Sequence, residues 1–410
     1  MIDNNKLNHF AELAIKVGVN LQKDQFLVVN CPVECAYIAR IIVEQAYKAG
    51  AGQVFVNWRD DVLSRLNMQY ASEDVLKDIP QWQIDKNDYY IKKGVALISV
   101  AASDPAVFAG LDAAKIRRVS TASAQAQKNF HNATMSNVLR WCVVSVPTSK
   151  WAQKVFPDCN ESAAVDKLWE AIATIMRLDK DDPTKAWQDH CDNLSDRAEF
   201  LNNNAFKAMH LKNAKGTDVT IGLPDNHVWL AAKEKAQDGV EFLANIPTEE
   251  VFTAPHRLTA NGRVVNALPL CENGEIIDDF FIEFKDGRIV DFGAKQGYET
   301  LKGLIETDEG THYLGEIALV SKQSPIAKQN RLFFNTLFDE NASCHLAIGK
   351  GYPSCVKDYL QLDEKQLFER GVNNSVEHVD FMIGTPDMFV EGIKKDGTRV
   401  TIFENGDWVK

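Results

Sequence analysis

The sequence predicts an α/β half followed by a mainly antiparallel α+β half. Two observations carry this. In residues 1–205, apolar runs of strand length alternate with stretches of helical period. From residue 206 to residue 410, short strand-like segments alternate with Asx-Gly turn signals. Strands alternating with helices imply a parallel sheet covered on both faces, a Rossmann-like arrangement. Short strands punctuated by tight turns imply antiparallel pairing. The 410 residues also suit two domains, since a domain usually holds ~100–200 residues and can then bury its own core.

Taken in order, Asn8 to Val19 has helical spacing, with Phe10, Leu13, Ala14 and Val17 on one stripe. Phe26 to Val29 is a short apolar run, read as a buried strand. Tyr37 to Lys48 returns to helical period and stops at Gly50, a fitting C-terminal glycine. Val54 to Trp58, Val95 to Ala101 and Trp141 to Val146 are further strands; Leu111 to Leu139 and Ala163 to Leu178 are helical. In the second half the turn signals are Asn261-Gly262, Glu272-Asn273-Gly274, Lys285-Asp286-Gly287, Lys395-Asp396-Gly397 and Glu404-Asn405-Gly406. Phe281 to Phe284 and Arg288 to Phe292 flank Asp286-Gly287 like two arms of a hairpin.

Composition is that of an ordinary globular chain, 45% hydrophobic and 25% charged. A net charge of −12 argues against nucleic-acid and anionic-membrane partners, which reward Lys/Arg patches. The polar start, Met1 to Phe10, lacks the apolar core of a signal peptide. No stretch approaches the ~20 apolar residues of a membrane span, so the expected location is cytoplasmic. The 8 cysteines are scattered without a CxxC pair, and buried free thiols are the simplest reading. Gly50 and Gly52 precede a strand instead of opening a helix, so they carry no dinucleotide claim.

Four stretches carry chemistry. In His378-Val379-Asp380 an extended backbone sets the imidazole and the carboxylate on one face, a half-site for a divalent cation; a surface His beside an Asp is the plainer alternative. In Asp339 to Gly349, acids and His345 lie beside the small-residue strand Leu346 to Ile348, with His345 at its entrance. Asp339 and Asn341 there also suit a cap or turn. Glu316 heads the apolar run Ile317 to Val320. A buried carboxylate costs on the order of several kcal/mol unless paired or metal-bound, though a strand end facing water would avoid that cost. Glu249 and Glu250 lie between Pro247 and a strand-like run, and alternation points one of them inward. No HExxH spacing occurs. Carboxylates with two His resemble a site in which one carboxylate bridges two metals ~3.5–4 Å apart.

Several of these stretches resemble the aminopeptidase T/aminopeptidase S family of thermophilic-type metalloaminopeptidases. They are Ile246-Pro247-Thr248-Glu249-Glu250-Val251-Phe252, Leu314-Gly315-Glu316, Asn335 to Ser343 with His345, and Glu377 to Gly384. Asn20-Leu21-Gln22, Phe26 to Val29 and Ala46 to Ala51 are similar too, so the likeness spans essentially the whole chain. It implies a dimeric exopeptidase acting on short peptides with two divalent metals, zinc or cobalt, with manganese as a further option. Carried onto this chain, the metal ligands are Glu250, Glu316, His345, His378 and Asp380, with Glu316 as the bridge. Glu340 is a ligand or a group flanking one. Tyr352 and Glu316 are the catalytic residues implied. The resemblance does not place the proton carrier; Glu249 or Glu340 could serve, as a carboxylate left free of metal. Cys344 stands where relatives often have Leu or Ala.

Two other readings stay open on the residues alone. One is another dinuclear hydrolase, an amidohydrolase or phosphoesterase, although such enzymes usually add further His or an Arg clamp, and of the 9 His here His256 and His312 lie outside the motifs. The other is a non-catalytic peptide- or metal-binding protein. Lys322, Lys328 and Arg331 read as solvated charges more readily than as a peptide channel. Trp141, Trp151 and Trp169 read as packing residues.

Overall fold

The structure is a computed structural model that describes residues 2–409 except 103, 105 and 273. It contains two compact units. One comprises residues 1–191, 232–248 and 333–337; the other comprises 192–231, 249–332 and 338–410. Packing therefore divides the chain less simply than a single cut near residue 205. The cut falls after Cys191, within the helix Pro183–Asn204, and two later segments return to the first unit. Backbone pairing explains one return: Asn245 bridges Val143 in parallel. Side-chain bonding explains the other, because Asn335 Nδ2 donates to the Ala101 carbonyl at 3.2 Å.

In the first unit, β1 (Phe26–Pro32), β2 (Gln53–Arg59), β3 (Ala96–Val100) and β4 (Trp141–Val144) form a parallel sheet in the order β2-β1-β3-β4. Each apolar run read as a strand is one. The helix Ala36–Lys48 follows β1 and buries Ile38, Ala39, Ile42 and Ala46, the stripe its period demands. Asp112, Thr148 and Asn160 cap their helices with side-chain oxygens. The expected helix from 111 to 139 is two helices, Ala113–Ala126 and Lys128–Met135, broken at Gln127. The stretch from Asn8 is α-helical only to Glu12 and continues as a π-helix over Leu13–Gly18. There Leu13, Ala14 and Ile15 are buried in succession, more than one α-helical stripe can carry. Trp151 and Trp169 are buried and Trp141 half-buried. The described residues contain no disulfide, and all eight cysteines are free.

The second unit is antiparallel. A nine-stranded sheet includes the hairpin Glu275–Lys285 and Arg288–Gln296. Its turn residues Asp286 and Gly287 have φ of 49° and 83°, the left-handed pair that lets a two-residue turn match strand twist. Lys395-Asp396-Gly397 and Glu404-Asn405-Gly406 likewise sit between paired strands. The signal at 272–274 includes Asn273, which lies outside the described residues. Asn261-Gly262 is not a turn; it opens the strand Asn261–Val265. Gly262 is required there for close approach, since a Cβ would lie 2.2 Å from the Asp218 carbonyl oxygen.

The sheet that matters most has four strands, in the order His378–Met382, His345–Gly349, Leu314–Val320 and Glu250–Thr253, all antiparallel. Nearly every residue in it is buried. One face carries Val251, Leu319, Ile317, Leu346, Ile348, Phe381 and Val379, and Phe381 meets Phe280 of the large sheet at 5.9 Å between ring centres. The other face carries the acidic and imidazole side chains, and its chemistry follows.

Candidate metal centre

Residues directly opposite in an antiparallel pair share a face. The register pairs Glu250 with Val320, Ala318 with His345, Glu316 with Ala347, Ala347 with Asp380, and Gly349 with His378. Strand alternation then sets Glu250, Glu316, His345, His378 and Asp380 on one face. Ala318, Ala347 and Gly349 stand between them. These small residues leave space above the sheet where larger ones would fill it.

The five side chains converge. His345 Nε2 lies 3.1 Å from Glu250 Oε2 and 3.4 Å from Glu316 Oε1. His378 Nε2 lies 3.6 Å from Glu316 Oε2 and 3.4 Å from Asp380 Oδ1. The donors form two triads, Glu250–Glu316–His345 and Glu316–His378–Asp380, each with ligand atoms within 4.8 Å of one another. Glu316 belongs to both, one oxygen toward each imidazole.

Backbone carbonyls aim the imidazoles. His345 Nδ1–H faces the Ser343 carbonyl at 3.1 Å, and His378 Nδ1–H donates to the Lys350 carbonyl at 2.7 Å. Both bonds leave Nε2 to the cluster, the usual way a ligating His is oriented.

Electrostatics reflect the crowding. Burial pushes the Glu316 carboxyl up to about 7, and the neighbouring Asp380 and Glu250 carboxylates add to the rise. Burial, then Asp380 and Glu250, raise the Glu340 carboxyl well above the carboxylate range. Burial opposes charge on the two imidazoles, yet the carboxylates prevail. Glu250 and Glu316 raise His345, and Asp380 and Glu316 raise His378 to about 9. Asp380 is held low despite burial, by His378 first. A buried set of carboxylates thus retains positive charge from whatever source is at hand. Protons can supply that charge, and so can divalent cations.

The residues fit a divalent metal by two further marks. Carboxylates and neutral imidazoles are the oxygen and nitrogen donors such ions take. Asp380 Oδ1 is buried without a hydrogen-bond partner, a state that an ion at its lone pairs would relieve.

Glu340 sits on the 3₁₀ turn Glu340–Ala342. Its carboxyl feels Asp380 and Glu250 but lies outside both triads, and its Oε1 accepts from Asn341 Nδ2 at 3.3 Å. Glu249 is also outside the triads; its backbone N–H donates to Asn341 Oδ1 at 2.7 Å. Tyr352 lies at the edge of the site, its ring T-shaped against both His378 at 5.1 Å and Phe252 at 5.7 Å. His256 and His312 take no part in either triad. Burial pushes the Cys344 thiol up to about 11, and its Sγ is engaged by Val320 N–H at 3.4 Å, so it stays a packing thiol. Lys322, Lys328 and Arg331 are exposed, although Lys322 and Arg331 rim a cavity of about 430 Å³ lined chiefly by apolar side chains.

The orienting carbonyls of Ser343 and Lys350 were not legible in the sequence, because any residue supplies a carbonyl. The small residues were: a single Ala between large apolar neighbours recurs in Ile317-Ala318-Leu319 and Leu346-Ala347-Ile348. Ala347→Leu is therefore expected to fold, at an overpacking cost of about 1–3 kcal/mol, and to lose bound metal. Elemental analysis of the folded variant checks this; full metal content would mean that the space above Ala347 is not used.

Two triads of carboxylates and imidazoles sharing one carboxylate could hold divalent cations, a donor set of the kind used by metal-dependent hydrolases. The family model "Thermophilic metalloprotease (M29)" matches residues 3–408. The chain is 45% identical to Aminopeptidase 2 of Geobacillus stearothermophilus, over 98% of this chain and 97% of the relative. It is 44% identical to Aminopeptidase AmpS of Bacillus subtilis (strain 168), over 98% of each. Wild-type AmpT from Thermus thermophilus has a solved structure that matches with a TM-score of 0.91 at 38% identity, covering 99% of both chains. The chain belongs to the thermophilic metalloprotease family.

Proposed function

We propose that this metalloaminopeptidase removes N-terminal residues from short peptides, and that its centre would hold two divalent cations able to activate the attacking water. The observation that supports it most is the sharing of Glu316 between two donor triads. Glu250, Glu316 and His345 would hold one ion, and Glu316, His378 and Asp380 the other. Zinc or cobalt suits such nitrogen and oxygen donors, and manganese is tolerated where carboxylates dominate. When bound, the ions supply Lewis acidity, which lowers the pKa of a water from 15.7 to about 7 and polarises a carbonyl.

The chain's own groups do the rest. Carboxylates around the centre offer a counter-charge to the free α-ammonium of a peptide, the feature that separates an exopeptidase from an endopeptidase. Tyr352, at the edge beside His378, donates a hydrogen bond to the tetrahedral oxyanion. Glu340, near Asp380 and Glu250 yet outside the triads, carries the proton from the attacking water to the departing amine. Among the described residues no helix is long and apolar enough to cross a membrane. We place the enzyme in the cytoplasm and read it as a homodimer, as its family resemblance implies.

The test is elemental analysis of the purified protein, joined to turnover assays before and after chelation. Metal near two equivalents is expected. Hydrolysis of an aminoacyl-p-nitroanilide and of di- and tripeptides should be abolished by chelation and restored by zinc, cobalt or manganese. Turnover of a phosphoester in place of peptides would move the chain to another hydrolase class, and bound metal without turnover would make it a binding protein.

A further inference from the structure

We propose that Asn373 is a positioning residue. It holds the turn from Gly349 to Tyr352, and through that turn sets both His378 and the Tyr352 phenol; the Tyr352 part rests on the function proposed above. Asn373 is 2% exposed. Its Nδ2 donates to the Gly349 carbonyl at 2.6 Å and the Gly310 carbonyl at 2.7 Å, with the Tyr313 carbonyl at 3.4 Å. Its backbone carbonyl accepts from Gly351 N–H at 2.9 Å. Between these points, Lys350 N–H donates to the Glu377 carbonyl at 2.7 Å, and the Lys350 carbonyl accepts from His378 Nδ1–H at 2.7 Å.

Residues 349, 350 and 351 are thus each pinned by a group drawn from residues 373–378, and Tyr352 is next in the chain. The turn needs such pinning. Its Gly-Lys-Gly sequence has little conformational preference of its own. Close packing bounds it as well: a Cβ on Gly315 would lie 2.4 Å from the Lys350 carbonyl oxygen, and one on Gly351 3.1 Å from the Val372 side chain. The direction of the Lys350 carbonyl fixes the His378 ring, so a shift of this turn misaims a metal-facing nitrogen and the phenol together. Groups that orient ligands in this way typically cost 10–100-fold in metal affinity or activity when removed. The amide is specific to the task, because it presents two N–H donors to carbonyl oxygens. A carboxylate of the same shape would set acceptor against acceptor.

Two variants of the full chain test this, Asn373→Asp and Asn373→Ala; the second removes the bonds without introducing repulsion, in case the first fails to fold. Each is measured for kcat, KM and metal affinity by chelator competition, alone and combined with Tyr352→Phe. Expected are a kcat lower by about 10–100-fold with KM little changed, and a comparable weakening of metal affinity. In the Tyr352→Phe background the kcat penalty should shrink markedly, as it does for residues that act through one another. A general loss of stability would lower the melting temperature without this coupling. A kcat penalty of equal size in both backgrounds, or unchanged kcat in the folded alanine variant, overturns the proposal. Should Tyr352→Phe alone keep full turnover, the role of Tyr352 fails separately; metal affinity then decides for Asn373, and an unchanged affinity overturns it.

Discussion

Tyr352→Phe is expected to lose roughly 10²–10³ in turnover, the range for removal of one preorganised oxyanion donor, while keeping its metal. The substitution is close to ideal. The ring packs edge-on to His378 at 5.1 Å and on Phe252 at 5.7 Å, and a phenylalanine ring preserves both contacts. Only the hydroxyl goes. Because Tyr352 stands outside both donor triads, metal content should stay at the wild-type level. The loss should appear in kcat and kcat/KM alike, since the proposed bond is to charge that develops only in the transition state. The checks are steady-state kinetics on an aminoacyl-p-nitroanilide and elemental analysis of the same preparation. Wild-type turnover would strip Tyr352 of this role; lost metal would make it part of the cation site.

Glu316→Gln should be the more damaging change. Glu316 is buried and shared between both triads, one oxygen toward His345 and the other toward His378. An amide keeps the shape and removes the charge that, on the proposed function, would hold two cations beside each other. Metal stabilisation of transition-state charge is worth several kcal/mol, so at about 1.4 kcal/mol per decade the expected loss of turnover is on the order of 10³-fold or more. The diagnostic comparison is with Asp380→Asn, which touches one triad only. Glu316→Gln should weaken both metal equivalents in equilibrium dialysis, and Asp380→Asn chiefly one. Two tightly held equivalents in Glu316→Gln would sink the bridging assignment and the shared-centre mechanism with it.

Much of this centre was legible before any coordinates. His378 and Asp380 share a face because an extended chain alternates, and the structure sets them 3.4 Å apart at their nearest atoms. His345 is the first residue of its strand, as its place before Leu346 to Ile348 implies. The hairpin about Asp286-Gly287 was readable because left-handed φ at both turn positions restricts the residues allowed. Local signals failed where a neighbour decides. Asn261-Gly262 carries the same turn signature, yet its glycine serves an approach to the Asp218 carbonyl, a residue distant in sequence. The π-helical Leu13–Gly18 and the break at Gln127 have no mark in periodicity, which registers buried faces and not hydrogen-bond register.

The amino-acid order by itself determined the four strands of the first unit, which side chains share a face of an extended segment, and which residue types were available to hold a cation. Those properties depend on neighbours a few positions away, where backbone geometry is periodic. Only the tertiary structure decided that Glu250, Glu316, His345, His378 and Asp380 meet, that Glu316 is the member common to both triads, and that Glu340 stands just outside them. Convergence depends on strand register across a sheet whose partners are far apart in the chain. A slip of one residue in a strand would turn its members of the cluster to the opposite face.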